Sequence, residues 1–267
     1  MPTRMTVYGV SFGGGWDGMN IYYAEGRLSG SDLTITGVRR CDDRLDLFAT
    51  IVASGAPWVL DFPFALPEDA YRTFPSRNWQ GLLDFVDIVE SAEFAGYMDR
   101  TPLVGFEDRC QHPGPGCRLT DAESGAFSPL KRSRPNRLEI TYSGLILLIY
   151  LRRYGVRVYP FDEPELTRSR VYEVDPWNTR ARVGLGRTAG PWDFLAAFEK
   201  WDGRAVEISL LEDLLPPSYD LNAVVACATL ANAIRAFDLE DRWDEMPACA
   251  TAPEWEARQK EGLIVRL

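Results

Sequence analysis

Histidine is almost absent from this chain of 267 residues: His112 is the only one. A Ser-His-Asp triad would have to draw on that single imidazole. His112 lies in CQHPGPGC, between prolines and glycines, which is a poor platform for a fixed base. No GxSxG elbow is present to supply a nucleophile. Long hydrophobic runs are missing too. The longest, Gly144–Leu151, is far too short to cross a bilayer. The opening MPTRMTVYGV has no apolar stretch of the signal-peptide kind, so neither export nor a membrane partner is expected. Positive charge is in the minority, with 29 Lys and Arg against 39 Asp and Glu, a net −10. A nonspecific coat on nucleic acid draws its affinity from Lys and Arg, so that class is disfavoured. Cysteine is sparse and odd in number, five in all: Cys41, Cys110, Cys117, Cys227 and Cys249. Without an export signal, this reads as free thiols in a reducing cytoplasm. Cys110, His112 and Cys117 are zinc-type ligands, but no fourth is evident.

What is present is the composition of a soluble globular protein, with 46% apolar and 25% charged residues. The chain is long enough to build a core without staples. Met5–Phe12, Met19–Ala24 and Leu33–Val38 read as strands, with a turn-prone stretch over Glu25–Asp32. Arg44–Ala53 has helical spacing, and Pro57–Phe64 reads as a buried strand. A strand, a crossover helix and a strand imply a parallel pair. Trp79–Ala92 and Asn136–Tyr154 read as helices, Val156–Phe161 and Val171–Val174 as strands, and Pro191–Trp201 and Asp220–Phe237 as helices. The result is an α/β sheet, antiparallel at one edge and parallel at the other. Between the middle helices, residues 98–137 are rich in Gly, Pro, Cys and charge. A segment that long without regular structure suggests an active-site insertion, and it is expected to border the functional cleft.

The residues able to carry chemistry are few. Asp61 in WVLDFPFALP is a carboxylate in an apolar strand, costly to bury unless it is paired or holds a metal. It lies near the end of a parallel strand, where α/β sheets place their sites. The alternative is a turn former ahead of Pro63. Glu173 in VYEVDP has the same apolar flanks. Asp175 follows it and reads as a helix cap before Pro176. Asp220 can cap the helix that follows, and Asn222 lies just inside that helix. The loop FGGGWDG allows close backbone approach to a phosphate at Gly14, with Asp17 as a spare carboxylate. A flexible hairpin is the more ordinary reading of it, since the spacing is neither GxGxxG nor a P-loop and no Lys follows. Lys131, Arg132, Arg134 and Arg137, with Arg118 upstream, form the main basic cluster. They suit either phosphate binding or a solvated loop.

Taken in order, GVSFGGG, DFPFALP, RLTDAESGAFSP, an apolar helix ending in YGVRVYP, YEVDP, DLNAVVACATLANA and EGLIV resemble the domain-of-unknown-function 429 family. Its members are regarded as predicted nucleases of RNase H-like fold. The resemblance implies one RNase H-like domain over residues 1–267. Its mixed sheet would have five or more strands, three antiparallel and then parallel ones, flanked by helices. An insertion over 65–137 would include the irregular 98–137 stretch. It also implies a metal-dependent phosphodiesterase acting on nucleic acid or a nucleotide. Mg2+ or Mn2+ would sit on Asp61, Glu173, Asp220 and Asp17. Asp61, Glu173 and Asp220 would be catalytic, and Ser11, Gly14, Arg118, Arg137 and Asn222 would contact substrate. Ser11 and Asn222 stand where the family has acidic residues, and hard cations are held mainly by carboxylates. A catalytically silent binding protein and a nucleotide- or phosphometabolite-binding protein are the other functions this pattern accommodates.

Overall fold

The computed structural model describes residues 4–13, 20–29, 32–74, 76–99, 109–133, 136–163, 165, 167–186, 193, 197, 226 and 245–266. The helices expected over Pro191–Trp201 and Asp220–Phe237 lie outside them, isolated positions apart. Seven strands form one mixed sheet: β1 (Arg4–Ser11), β2 (Tyr22–Ser29), β3 (Asp32–Arg40), β4 (Pro57–Leu60), β5 (Arg157–Val158), β6 (Arg170–Val174) and β7 (Ile264–Val265). The order is β3-β2-β1-β4-β6-β5. The first three strands are antiparallel, and β1, β4, β6 and β5 are parallel neighbours. β7 also pairs with β6 in parallel, at Glu173 and Val174, beyond the short stretch held by β5.

Three sequence expectations are corrected by the structure. The stretch over Glu25–Ser29 is strand rather than turn, because Arg4–Ser11 and Asp32–Arg40 hydrogen-bond along both its edges. Cross-strand pairing outweighs the turn tendency of Gly26, and the register shift between Glu25 and Gly26 absorbs the mismatch. Trp79–Ala92 is two helices, α2 (Trp79–Val86) and α3 (Ser91–Met98). The chain turns between them, where the Tyr142 hydroxyl donates to the Val89 carbonyl at 2.8 Å. The strand expected over Val156–Phe161 is only Arg157–Val158.

The sheet divides the core. Trp58, Leu60, Phe62 and Val171 face one cluster, and Val7, Val59, Tyr172 and Val174 face the other. This is the period-2 alternation of buried strands. α1 (Arg44–Ser54) lies against the first face through Leu47 and Ile51. Asp43 caps it by accepting from the Leu45 and Asp46 amides, and Gly55 ends it at φ 61°. α5 (Arg137–Arg153) is the long helix of that layer. It comes so close that a Cβ on Gly144 would stand 2.2 Å from the Phe62 ring. Shorter helices are α4 (Leu119–Ser124), α6 (Pro176–Arg182) and α7 (Ala252–Glu261). Among the described residues no helix is long and apolar enough to cross a membrane.

Candidate functional site

The parallel strands β1, β4 and β6 all end at the same level. Val10 lies opposite Leu60, and Leu60 opposite Glu173. The next residues, Ser11 and Asp61, therefore come together where the strands give out. Ser11 is buried there. β1 ends at Ser11, so the Phe12 amide has lost its sheet partner. Asp61 Oδ1 accepts from it at 2.6 Å. The carboxylate of Asp61 is thus fixed by backbone geometry. Burial pushes its pKa up to about 6, opposed by the Phe12 bond and by Arg137, and assisted by the negative charge of Asp175.

Asp175 is the acid whose charge acts on Asp61. It follows directly after β6 and caps α6, its Oδ1 accepting from the Trp177 amide at 3.1 Å. Pro176 then starts the helix, as the sequence suggested. The Asp175 carboxylate is also raised by burial, against the pull of Arg137 and Arg109. Arg109 Nη1 stands 3.8 Å from Asp175 Oδ2. Arg137, in the first turn of α5, donates from Nη1 to the Asp61 carbonyl at 3.4 Å, a long contact. Its charge acts on both carboxylates. Its Nε is buried and has no hydrogen-bond partner among the described residues.

Glu173 lies nearby but is differently occupied. Its register partner is Leu60, one residue before Asp61. Arg118 donates to both its oxygens, Nη2 to Oε1 at 2.5 Å and Nη1 to Oε2 at 2.9 Å. The Phe64 amide donates to Oε2 at 2.9 Å. Arg118 simultaneously holds Asp121 through Nε and Nη2, and donates to the Glu261 carbonyl. Arg118, Asp121 and Glu173 are 1%, 0% and 2% exposed. Burial pulls the Arg118 pKa down, but Asp121 and Glu173 more than reverse it, so the guanidinium stays charged. Burial raises the Glu173 pKa, and Arg118 opposes that.

This network explains an acid in an apolar strand without any metal. After Leu60 the DFPF segment leaves the sheet, and Pro63 has no amide to donate. Side chains satisfy three backbone groups of this stretch: Phe64 N by Glu173, Phe64 O by Trp79 Nε1 and Leu66 N by Tyr71 Oη. Buried amides need such partners. Arg118, expected to contact substrate, is instead enclosed in this network.

The remaining expected residues divide simply. Gly14, Asp17, Asp220 and Asn222 lie outside the described residues. Cys110 and Cys117, read as free thiols, are joined in a disulfide. Their sulfurs are therefore not zinc ligands. Cys41 and Cys249 are free. Among the described residues no group of three or more His, Cys, Asp or Glu is placed to hold a metal. The irregular segment does border the acid pair. Arg109 reaches Asp175, and Asn178 Nδ2 donates to the Ser124 carbonyl at 2.5 Å.

Two features of the site were not singled out from the sequence: Arg109, and Asp175 as the partner of Asp61. Asp175 carried the signature of a helix cap, which it is, and that masked its second role. Nothing local marks Arg109 except its place beside Cys110. Comparison of the chain with protein-family models, with curated proteins and with solved structures finds no match.

Proposed function

We propose that this chain is an RNase H-like, divalent-metal-assisted phosphoester hydrolase whose working carboxylates are Asp61 and Asp175. The observation that carries the reading is their pairing at the ends of adjacent parallel strands, where α/β sheets hold ligands. Burial raises both carboxylates, and the charge of Asp175 adds to the rise at Asp61, a perturbation typical of reactive sites. The donor set suits a hard cation, because each carboxylate uses Oδ1 for a backbone amide and keeps Oδ2 outside those bonds. Glu173 does not suit it, because Arg118 and the Phe64 amide already take both its oxygens. Mg2+ or Mn2+ bound there would supply Lewis-acid neutralisation of a phosphoryl oxygen.

The chain's own residues do the rest. The Phe12 and Trp177 amides hold the two carboxylates in place. Arg137 and Arg109 present positive charge to the anion, and Arg suits phosphate geometry. Asp220 and Asp17 remain proposed contributors to the same cleft, and a nucleic acid or nucleotide remains the proposed partner class. A cytoplasmic location is proposed from the sequence, and the Cys110–Cys117 disulfide weighs against it.

A second reading, a binding protein without metal chemistry, is favoured by one observation. The described residues bring two carboxylates together rather than three or more. Hydrolysis of bis(p-nitrophenyl) phosphate in Mn2+ separates the two. The hydrolase reading predicts turnover that falls by about 100-fold or more in Asp61→Asn and in Asp175→Asn. Absence of any Mn2+-dependent turnover would leave the binding reading.

A further inference from the structure

A cleft of about 590 Å3 opens between α3 and the first half of α5. Its origin lies in the side chains of α3. Phe94 packs on Tyr142 of α5, with ring centroids 5.4 Å apart at 43°. The other α3 residues of the lining, Ser91, Ala92 and Ala95, are too small to fill the space beside that pair. The volume is that of a small-molecule site, which runs from roughly 300 to 1,000 Å3. Neither Asp61 nor Asp175 lines it, so what it binds is independent of the metal reading.

The floor is apolar. Phe94, Leu138 and Tyr142 are 1%, 5% and 8% exposed. The Tyr142 hydroxyl is already donated to the Val89 carbonyl, so this residue offers the cleft its ring. The polar part of the lining has an excess of negative charge. Glu90 stands just before α3, and Glu139 lies in the first turn of α5. Neither is ion-paired among the described residues. Glu139 Oε2 accepts only from the neutral Asn136 amide, Nδ2 donating at 3.1 Å. Burial raises the Tyr142 pKa and the charge of Glu90 adds to the rise, so that carboxylate acts across the apolar floor. Arg132 is the one cation of the described lining. Its Nη2 lies 2.5 Å from Asp99 Oδ1 and donates to the Ala95 carbonyl at 2.6 Å. Even with Arg132 counted in full, two carboxylates face one cation.

We infer that this cleft binds a small organic amine, its apolar body on Phe94, Leu138 and Tyr142 and its ammonium facing Glu90 and Glu139. An ammonium has three donors and no acceptor, which matches carboxylates. The body gains by burying apolar area, and a cation near aromatic rings gains further attraction. An anion of the same shape would be repelled by both glutamates. A bare divalent ion would leave the floor unused, and no group of three or more acids is gathered for one among the described residues.

The test is calorimetric titration of 2-phenylethylamine into the full chain, beside 2-phenylethanol and phenylacetate. These keep the aromatic body and make the head neutral or negative. The amine should bind at millimolar concentration, the alcohol more weakly and phenylacetate not at all. Glu90→Gln and Glu139→Gln should each weaken the amine by roughly three- to tenfold, the loss of one charge-assisted contact. Glu90 is exposed, and Gln at position 139 keeps an acceptor for the Asn136 amide, so both variants are expected to fold. Ala92 is exposed and lines the cleft, so Ala92→Trp should fill it and remove binding without lowering the thermal midpoint. Failure of the amine to bind the native chain would overturn the inference. So would equal binding of amine and alcohol, or amine binding left unchanged by Ala92→Trp or by both glutamine variants.

Discussion

Arg109 and Arg118 flank the two cysteines of one disulfide, and each reaches a different carboxylate at the end of the same strand. Arg109 lies beside Asp175, and Arg118 is locked onto Glu173. The contrast between the two contacts is large. Arg118 is enclosed and doubly bonded, whereas Arg109 is partly exposed and 3.8 Å from its acid. The first pairing is enclosed in the core, and the second borders the corner that holds Asp61 and Asp175.

Glu173→Gln is therefore expected to cost stability and spare the site. Removing one partner of a buried ion pair typically destabilises by about 3–5 kcal/mol. Urea unfolding should show that loss, while the folded fraction keeps its Mn2+ affinity. A variant that unfolds normally but no longer binds Mn2+ would return Glu173 to the metal site.

Asp61→Asn should act on stability in the opposite direction, and only above a certain pH. The folded pKa is pushed up to about 6 from an ordinary value of 3.8. Between these values the folded state holds the proton and the unfolded state does not. Stability therefore falls as pH rises through this window, and the cost is complete above the folded pKa. The carboxamide of the variant can keep accepting from the Phe12 amide without carrying the charge. At pH 8 (above the window) the variant should be the more stable by about 1–3 kcal/mol, with the gap closing towards pH 4. Urea melts across this range would show it, and a pH-independent difference would contradict it.

Gly144→Ala should disturb the site from behind. The added Cβ would stand 2.2 Å from the ring of Phe62, the residue next to Asp61. Overpacking of this kind costs about 1–3 kcal/mol. The thermal midpoint should fall, and a compensating Phe62→Leu change in the same chain should recover part of it. An unchanged midpoint in Gly144→Ala would show that α5 and the DFPF segment are not in close contact.

Replacing Cys110 and Cys117 by serine should loosen Arg109. The bridge spans a sequence separation of seven residues. Closing so short a loop contributes about 2–3 kcal/mol on the chain-entropy estimate. Denaturant unfolding should register that loss, and Mn2+-dependent turnover of bis(p-nitrophenyl) phosphate should fall with it. Unchanged turnover would mean that Arg109 does not depend on the bridge.

Much of the architecture was legible because strands and helices carry their own periodicity. Met5–Phe12, Arg44–Ala53 and Asn136–Tyr154 fall on β1, α1 and α5 within a residue or two. Asp61 was legible from its cost, being a lone charge in an apolar stretch. Glu173 was conspicuous for the same reason, yet its partner Arg118 lies 55 residues away, and local spacing carries no trace of that contact. The disulfide was missed because compartment was inferred from the absence of an export signal. The strand over Glu25–Ser29 was missed because Gly26 and its neighbours resemble a turn until both edges are paired.

The most direct test of the Asp61–Asp175 pairing is Mn2+ titration into four proteins: the native chain, Asp61→Asn, Asp175→Asn and Glu173→Gln. Asn can retain the capping bond at position 175, so α6 should survive that change. Binding in the native chain that disappears in both aspartate variants and persists in folded Glu173→Gln is the predicted result. Binding that survives Asp175→Asn, or none in the native chain with phosphate present, would contradict it.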